Sequence, residues 1–136
     1  MTDFRRVTDE LSVSPQISLE DVAEAARQGF RALVNNRPDG EAPGQPLAAE
    51  VEAAARAHGL AYLHLPVAGG PTREQAIEMS AWLADQNGPA LAFCRSGTRS
   101  IVTWSLGQAL SGARTPAELV ELGAGAGYDL SGVLGR

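Results

Sequence analysis

Cys94 is the only cysteine in the chain, and it opens the run Cys94-Arg95-Ser96-Gly97-Thr98-Arg99-Ser100. A thiolate is a strong nucleophile when cationic or N–H groups surround it. The run supplies both. Gly97 permits a tight turn that other residues resist. Around such a turn the backbone N–H groups of Arg95, Ser96, Gly97 and Thr98 converge on one point, which makes a main-chain anion site. Arg99 adds a planar fork that grips two oxygens of an oxyanion. Ser100 is placed to hydrogen-bond the sulfur, and Arg95 to touch substrate. A lone cysteine is most often a small buried hydrophobe. The two arginines, the glycine and the helix that follows move the reading to an active-site loop, with Cys94 as nucleophile.

A loop of this kind needs a strand before it and a helix after it. Ala90-Leu91-Ala92-Phe93 is short and wholly apolar, as a buried parallel strand should be. The next helix is expected to start at Arg99 or Ser100 and run through Leu110. Earlier elements alternate in the same way. A short edge strand or a hairpin is expected over Arg6 to Ser14. A helix follows over Ser18 to Gln28, with Ser18 as N-cap and Gly29 past its end. Phe30 to Asn35 and Leu60 to Val67 read as strands, and Leu47 to His58 as an Ala-rich helix. Thr72 caps a helix to about Gln86, and Thr115-Pro116 opens another. The Gly-rich stretch 123–136 has no clear pattern. Alternating strands and helices predict an α/β fold with a mostly parallel sheet of about four to five strands, flanked by helices. Ligands bind such sheets at the carboxyl ends of the strands, where Cys94 falls.

The chain has 136 residues, enough for one domain over 1–136 with a core of its own. Net charge is -5, which leaves no general basic footprint for nucleic acid or an anionic membrane. A small anionic substrate must therefore be captured locally. No membrane-spanning run or leader is read, so a reduced, cytoplasmic compartment is expected. His58 and His64 lack metal-ligand spacing, and neither a metal nor another cofactor is implied. Trp82 and Trp104 read as core. Arg37-Pro38-Asp39-Gly40 follows a predicted strand and so lies on the active-site edge. Asp39 there is first of all a turn residue. It is also the one spare candidate for a general acid, with Arg37 as an anion contact.

Four stretches resemble the phosphatase-like domain of beta-lactamase-hydrolase-like proteins: Val7 to Gln16, Phe30 to Glu41, Leu60 to Gly70 and Ala92 to Ser100. The resemblance implies the fold of dual-specificity cysteine phosphatases. It also implies a functional link to metallo-hydrolases that oxidise persulfides. Two departures bear on the reaction. Cysteine phosphatases place five residues between the Cys and the Arg, whereas four separate Cys94 from Arg99. One residue is about 3.3 to 3.6 Å of chain. The shorter loop is similar to that of rhodanese sulfurtransferases. The position where those phosphatases carry an acidic residue after a strand reads Ala68-Gly69-Gly70, which holds no carboxylate. Phosphate esters expel a poor leaving group and need an acid; thiosulfate expels sulfite and does not. The expectation is therefore a sulfurtransferase working through a Cys94 persulfide, with thiosulfate or a persulfide as donor and a thiol as acceptor. The alternative is a phosphatase working through a phosphocysteine. A third reading is an anion-binding module without turnover.

Overall fold

The computed structural model describes residues 2–134. Five strands form one sheet: β1 (Arg5–Arg6), β2 (Leu11–Ser14), β3 (Ala32–Asn35), β4 (Ala61–His64) and β5 (Ala90–Phe93). Their order is β1-β2-β5-β3-β4. β2, β5, β3 and β4 run parallel, and β1 pairs antiparallel with β2. The predicted α/β class holds, and β5 is the middle strand. The Arg6 to Ser14 stretch is a hairpin whose second arm is interior, not an edge. β4 is shorter than the predicted strand because Pro66 has no N–H to give to the ladder. Leu65 and Val67 still donate to the carbonyls of Asn35 and Asn36 at 2.9 Å each, so the chain stays bound to the end of β3.

Side chains on successive strand residues face opposite sides of the sheet. Leu33, Leu91 and Phe93 meet Val22 and Ala25 of α1 (Leu19–Arg27) and Val51 and Ala55 of α2 (Ala48–Ala57). Val34, Ala90 and Ala92 face the other way, towards α3 (Arg73–Ala84), α4 (Thr98–Ser111) and α5 (Pro116–Gly125). Met79, Ile101, Trp104 and Leu119 fill that second layer. Trp104 is core as expected, and Trp82 is only partly buried against it.

The helix starts follow their caps. Ser18, Thr72 and Thr115 each accept from the backbone N–H three residues on. Each bond satisfies a donor that a helix start leaves open. α3 stops at Ala84, with Asp85 and Gln86 bonded back in a tight turn. The stretch that showed no pattern contributes to the core. Tyr128, Leu130 and Leu134 are buried, the last in the short α6 (Ser131–Leu134). The end of that stretch, 135–136, lies outside the described residues.

Candidate active site

β5 delivers Cys94 to the carboxyl edge of the sheet between β2 and β3, with its side chain fully buried. The chain then turns through Arg95, Ser96 and Gly97 into α4, which begins at Thr98, one residue earlier than expected. Gly97 sits at φ +92°, in the left-handed region that only glycine enters cheaply. This turn brings the Gly97 N–H to 3.1 Å from the Cys94 sulfur. Gly97 has no side chain to cap α4, and Ser96 takes over. Its Oγ accepts from the Thr98 N–H at 3.4 Å and donates to Thr98 Oγ1 at 3.0 Å. Arg95, Ser96 and Thr98 are exposed on the rim, and the Arg95 carbonyl accepts from Gln16 N–H at 3.3 Å.

Arg99 lies in the first turn of α4, and its guanidinium is fixed from outside the loop. Nη1 donates to Glu41 Oε2 and to the Val67 carbonyl, and Nη2 to Glu41 Oε1, each at 2.8 Å. A guanidinium carries five N–H groups. These bonds use both on Nη1 and one on Nη2. The Nε–H and the second Nη2–H are left over, with the Cys94 sulfur close to the guanidinium, and they form the edge of the fork that can take an oxyanion. Glu41 raises the Arg99 pKa most, and the nearby Cys94 sulfur adds to it.

Glu41 also accepts from Arg37 Nε at 2.8 Å, so one carboxylate is shared by two guanidinium groups. Hydrogen bonds from Arg99 and then Arg37 hold its pKa down at about 2. Glu41 is therefore ionised at any working pH and has no proton to give a leaving group.

Arg37, expected as an anion contact, is buried behind Glu41. Its side chain is 5% exposed, and Nη1 is spent on Gln16 Oε1 at 3.0 Å. It reaches Arg99 through the shared Glu41 carboxylate. Asp39 Oδ1 accepts from the Ala48 N–H at 2.8 Å. Leu47 precedes α2 without a polar side chain, and Asp39 supplies the missing cap. Ser100 is fully buried, and its Oγ has no partner among the described residues; the expected bond to the sulfur is not made. His64 Nε2 sits 3.0 Å from the Arg37 carbonyl, on the periphery of the site. No group of three metal-ligating side chains occurs among the described residues.

Two residues of the site escaped the sequence reading. Glu41 had a signal: it stands four residues after Arg37 in the same strand-end loop. Tyr128 had none, because its contact with the loop spans 32 residues.

The model for the phosphatase-like domain of beta-lactamase hydrolase-like proteins matches residues 3–111. The beta-lactamase hydrolase-like protein of Agrobacterium fabrum is 35% identical over 92% of this chain. That of Xylella fastidiosa Temecula1 is 36% identical over 91%. The chain spans 29% of the length of each of these relatives. Among solved structures, a candidate phosphatase from Neisseria meningitidis superposes with a TM-score of 0.86 at 25% identity. That match covers 100% of this chain and 96% of the other. P. aeruginosa TpbA, solved in complex with phosphotyrosine, gives a TM-score of 0.67 at 16% identity. It covers 93% of this chain and 76% of TpbA, a likeness of fold. The fold is the cysteine-phosphatase fold that the resemblance implied. No helix among the described residues is long and apolar enough to cross a membrane.

Proposed function

The chain belongs to the family of the beta-lactamase hydrolase-like phosphatase-like domain, and on that premise we propose that it is a cysteine-dependent phosphatase acting on phosphate monoesters. The observation that carries the reading is the pairing of Cys94 Sγ with the Gly97 N–H at 3.1 Å beside the open edge of Arg99. The likeness to phosphatases adds weight that the loop count alone had given to sulfur.

In this reading the Cys94 thiolate attacks phosphorus while the loop N–H groups and Arg99 Nε hold the equatorial oxygens. An S–P bond forms, the P–O ester bond breaks, and the leaving oxygen departs with its electron pair. Water then attacks phosphorus, the S–P bond breaks, and inorganic phosphate and the thiolate are released. Glu41 is held ionised and Asp39 is engaged in the α2 cap. Aryl phosphates, whose leaving groups depart as stable anions, are thus the favoured substrates. The thiol needs a reducing setting, in keeping with a cytoplasmic site.

The test is turnover of p-nitrophenyl phosphate against that of an alkyl phosphate. Turnover of the aryl ester, its loss in Cys94→Ser and a trapped adduct of one phosphoryl group are expected. Phosphate binding that survives Cys94→Ser with no turnover in the wild type would leave only an anion-binding module.

The four-residue gap between Cys94 and Arg99 favours a second reading, sulfur transfer from thiosulfate or a persulfide. It would couple the domain to a persulfide-oxidising metallo-hydrolase. Incubation with thiosulfate followed by an intact mass decides it: a gain of one sulfur atom on Cys94, with no phosphatase turnover, would replace the first reading.

A further inference from the structure

Tyr128 lies outside the stretch matched by the family model, yet it reaches the catalytic loop. It is 8% exposed. Its hydroxyl donates to the Ser96 carbonyl at 2.8 Å and accepts from Arg5 Nη1 at 2.9 Å. The same hydroxyl fills the space beside Gly97, where a Cβ would stand 2.1 Å from it.

The Ser96 carbonyl and the Gly97 N–H belong to one peptide group. That group is planar and trans, so its C=O and N–H point in opposite directions. One end meets Tyr128, and the other meets the Cys94 sulfur at 3.1 Å. Fixing the carbonyl therefore fixes the aim of the N–H. A donor on the carbonyl also polarises the amide and strengthens its N–H as a donor. If the peptide turned over, the carbonyl oxygen would face the sulfur and oppose the thiolate. Burial raises the Tyr128 pKa, so the phenol keeps the proton it donates.

We propose that Tyr128 is a positioning residue that holds the Ser96–Gly97 peptide with its N–H on the Cys94 sulfur, and that Arg5 holds Tyr128 in place. The inference rests on Cys94 as the nucleophile of the proposed reaction, and it holds whichever group Cys94 attacks.

Tyr128→Phe keeps the ring and removes only the hydroxyl. The rate of Cys94 alkylation by iodoacetamide is measured across pH for the wild type and the variant. The midpoint of the profile should move to higher pH, and the rate at neutral pH should fall about tenfold, as for loss of one hydrogen bond to a charged group. Arg5→Met should move the midpoint the same way by less. Superimposable profiles for wild type and Tyr128→Phe, with only a lower melting temperature, would overturn the proposal and reduce Tyr128 to packing. If Tyr128→Phe does not fold, Arg5→Met decides alone, and an unmoved midpoint there overturns it. A wild type that hydrolyses no phosphate ester, beside a shifted Tyr128→Phe profile, would sink the phosphatase reading and leave this inference standing.

Discussion

Glu41→Gln tests whether the Arg99 clamp is set from outside its own loop. Oε1 accepts from both Arg37 Nε and Arg99 Nη2, whereas Oε2 accepts only from Arg99 Nη1. The amide oxygen will take the first place, where it keeps two donors. The amide nitrogen then faces Arg99 Nη1, donor against donor. One charge-assisted bond is lost and the others are weakened. Such bonds are worth about 1.5–3 kcal/mol when sheltered. The Glu41 side chain is 28% exposed, so water replaces part of the loss. That leaves about 1–2 kcal/mol, or a fall of about 5- to 30-fold in kcat/KM. Steady-state kinetics on p-nitrophenyl phosphate read this directly, and urea melts report the smaller cost at buried Arg37. An unchanged kcat/KM would refute the argument. A rise would mean that Glu41 competes with substrate for the guanidinium rather than holding it in place.

Asp39→Asn keeps an acceptor for the Ala48 N–H, so stability, kcat and the pH profile should all survive; a collapsed kcat with a flattened basic limb would make Asp39 the acid. Asp39→Ala should cost about 1 kcal/mol in a denaturant melt with kcat kept, the ordinary price of a lost helix cap. Because the folded pKa of Glu41 lies near 2 and its ordinary value is 4.5, its contribution is complete above about 4.5 and lost as pH falls towards 2. Melts through that window should show a loss of stability that Glu41→Gln flattens. Gly97→Ala places a side chain at φ +92° and into the Tyr128 hydroxyl. A cost of about 2 kcal/mol or more and loss of alkylation at neutral pH are expected; wild-type values for both would mean the turn is not held.

The fold was legible because period and punctuation agreed. Ala90 to Phe93 is apolar throughout and sits between Asn87-Gly88-Pro89 and a polar loop, and β5 has those bounds. Ser18, Thr72 and Thr115 cap the helices they were expected to open, and each bonds the backbone N–H three residues on. The site was legible only where it is local. Cys94, Gly97 and Arg99 are close in sequence, so their chemistry could be read as a unit. Glu41 is 58 residues from Arg99, and residue types alone cannot say which carboxylate a guanidinium will meet. Asp39 read first as a turn residue and second as a spare acid, because its loop lies on the carboxyl edge of the sheet. The helix that needed its carboxylate as a cap begins nine residues later, and that demand is invisible until α2 is placed.

Loop length is a weak guide to the transferred group for a related reason. Counting residues from Cys94 to Arg99 assumes that the loop itself sets the distance between sulfur and guanidinium. Here the guanidinium is held by the carbonyl of Val67, beyond β4, and by Glu41, beyond β3. The sulfur is held by β5 and faced by the Gly97 N–H. Two neighbouring strand-end loops thus set one side of the anion site, and the loop after β5 sets the other. A residue lost from the loop shifts where α4 starts, at Thr98, without releasing Arg99 from its partners. The gap of four therefore constrains the ring of N–H groups more than it constrains the clamp. Whether that ring accepts three phosphate oxygens or a single sulfur rests on the aim of the Ser96–Gly97 peptide, which Tyr128 grips from the far side.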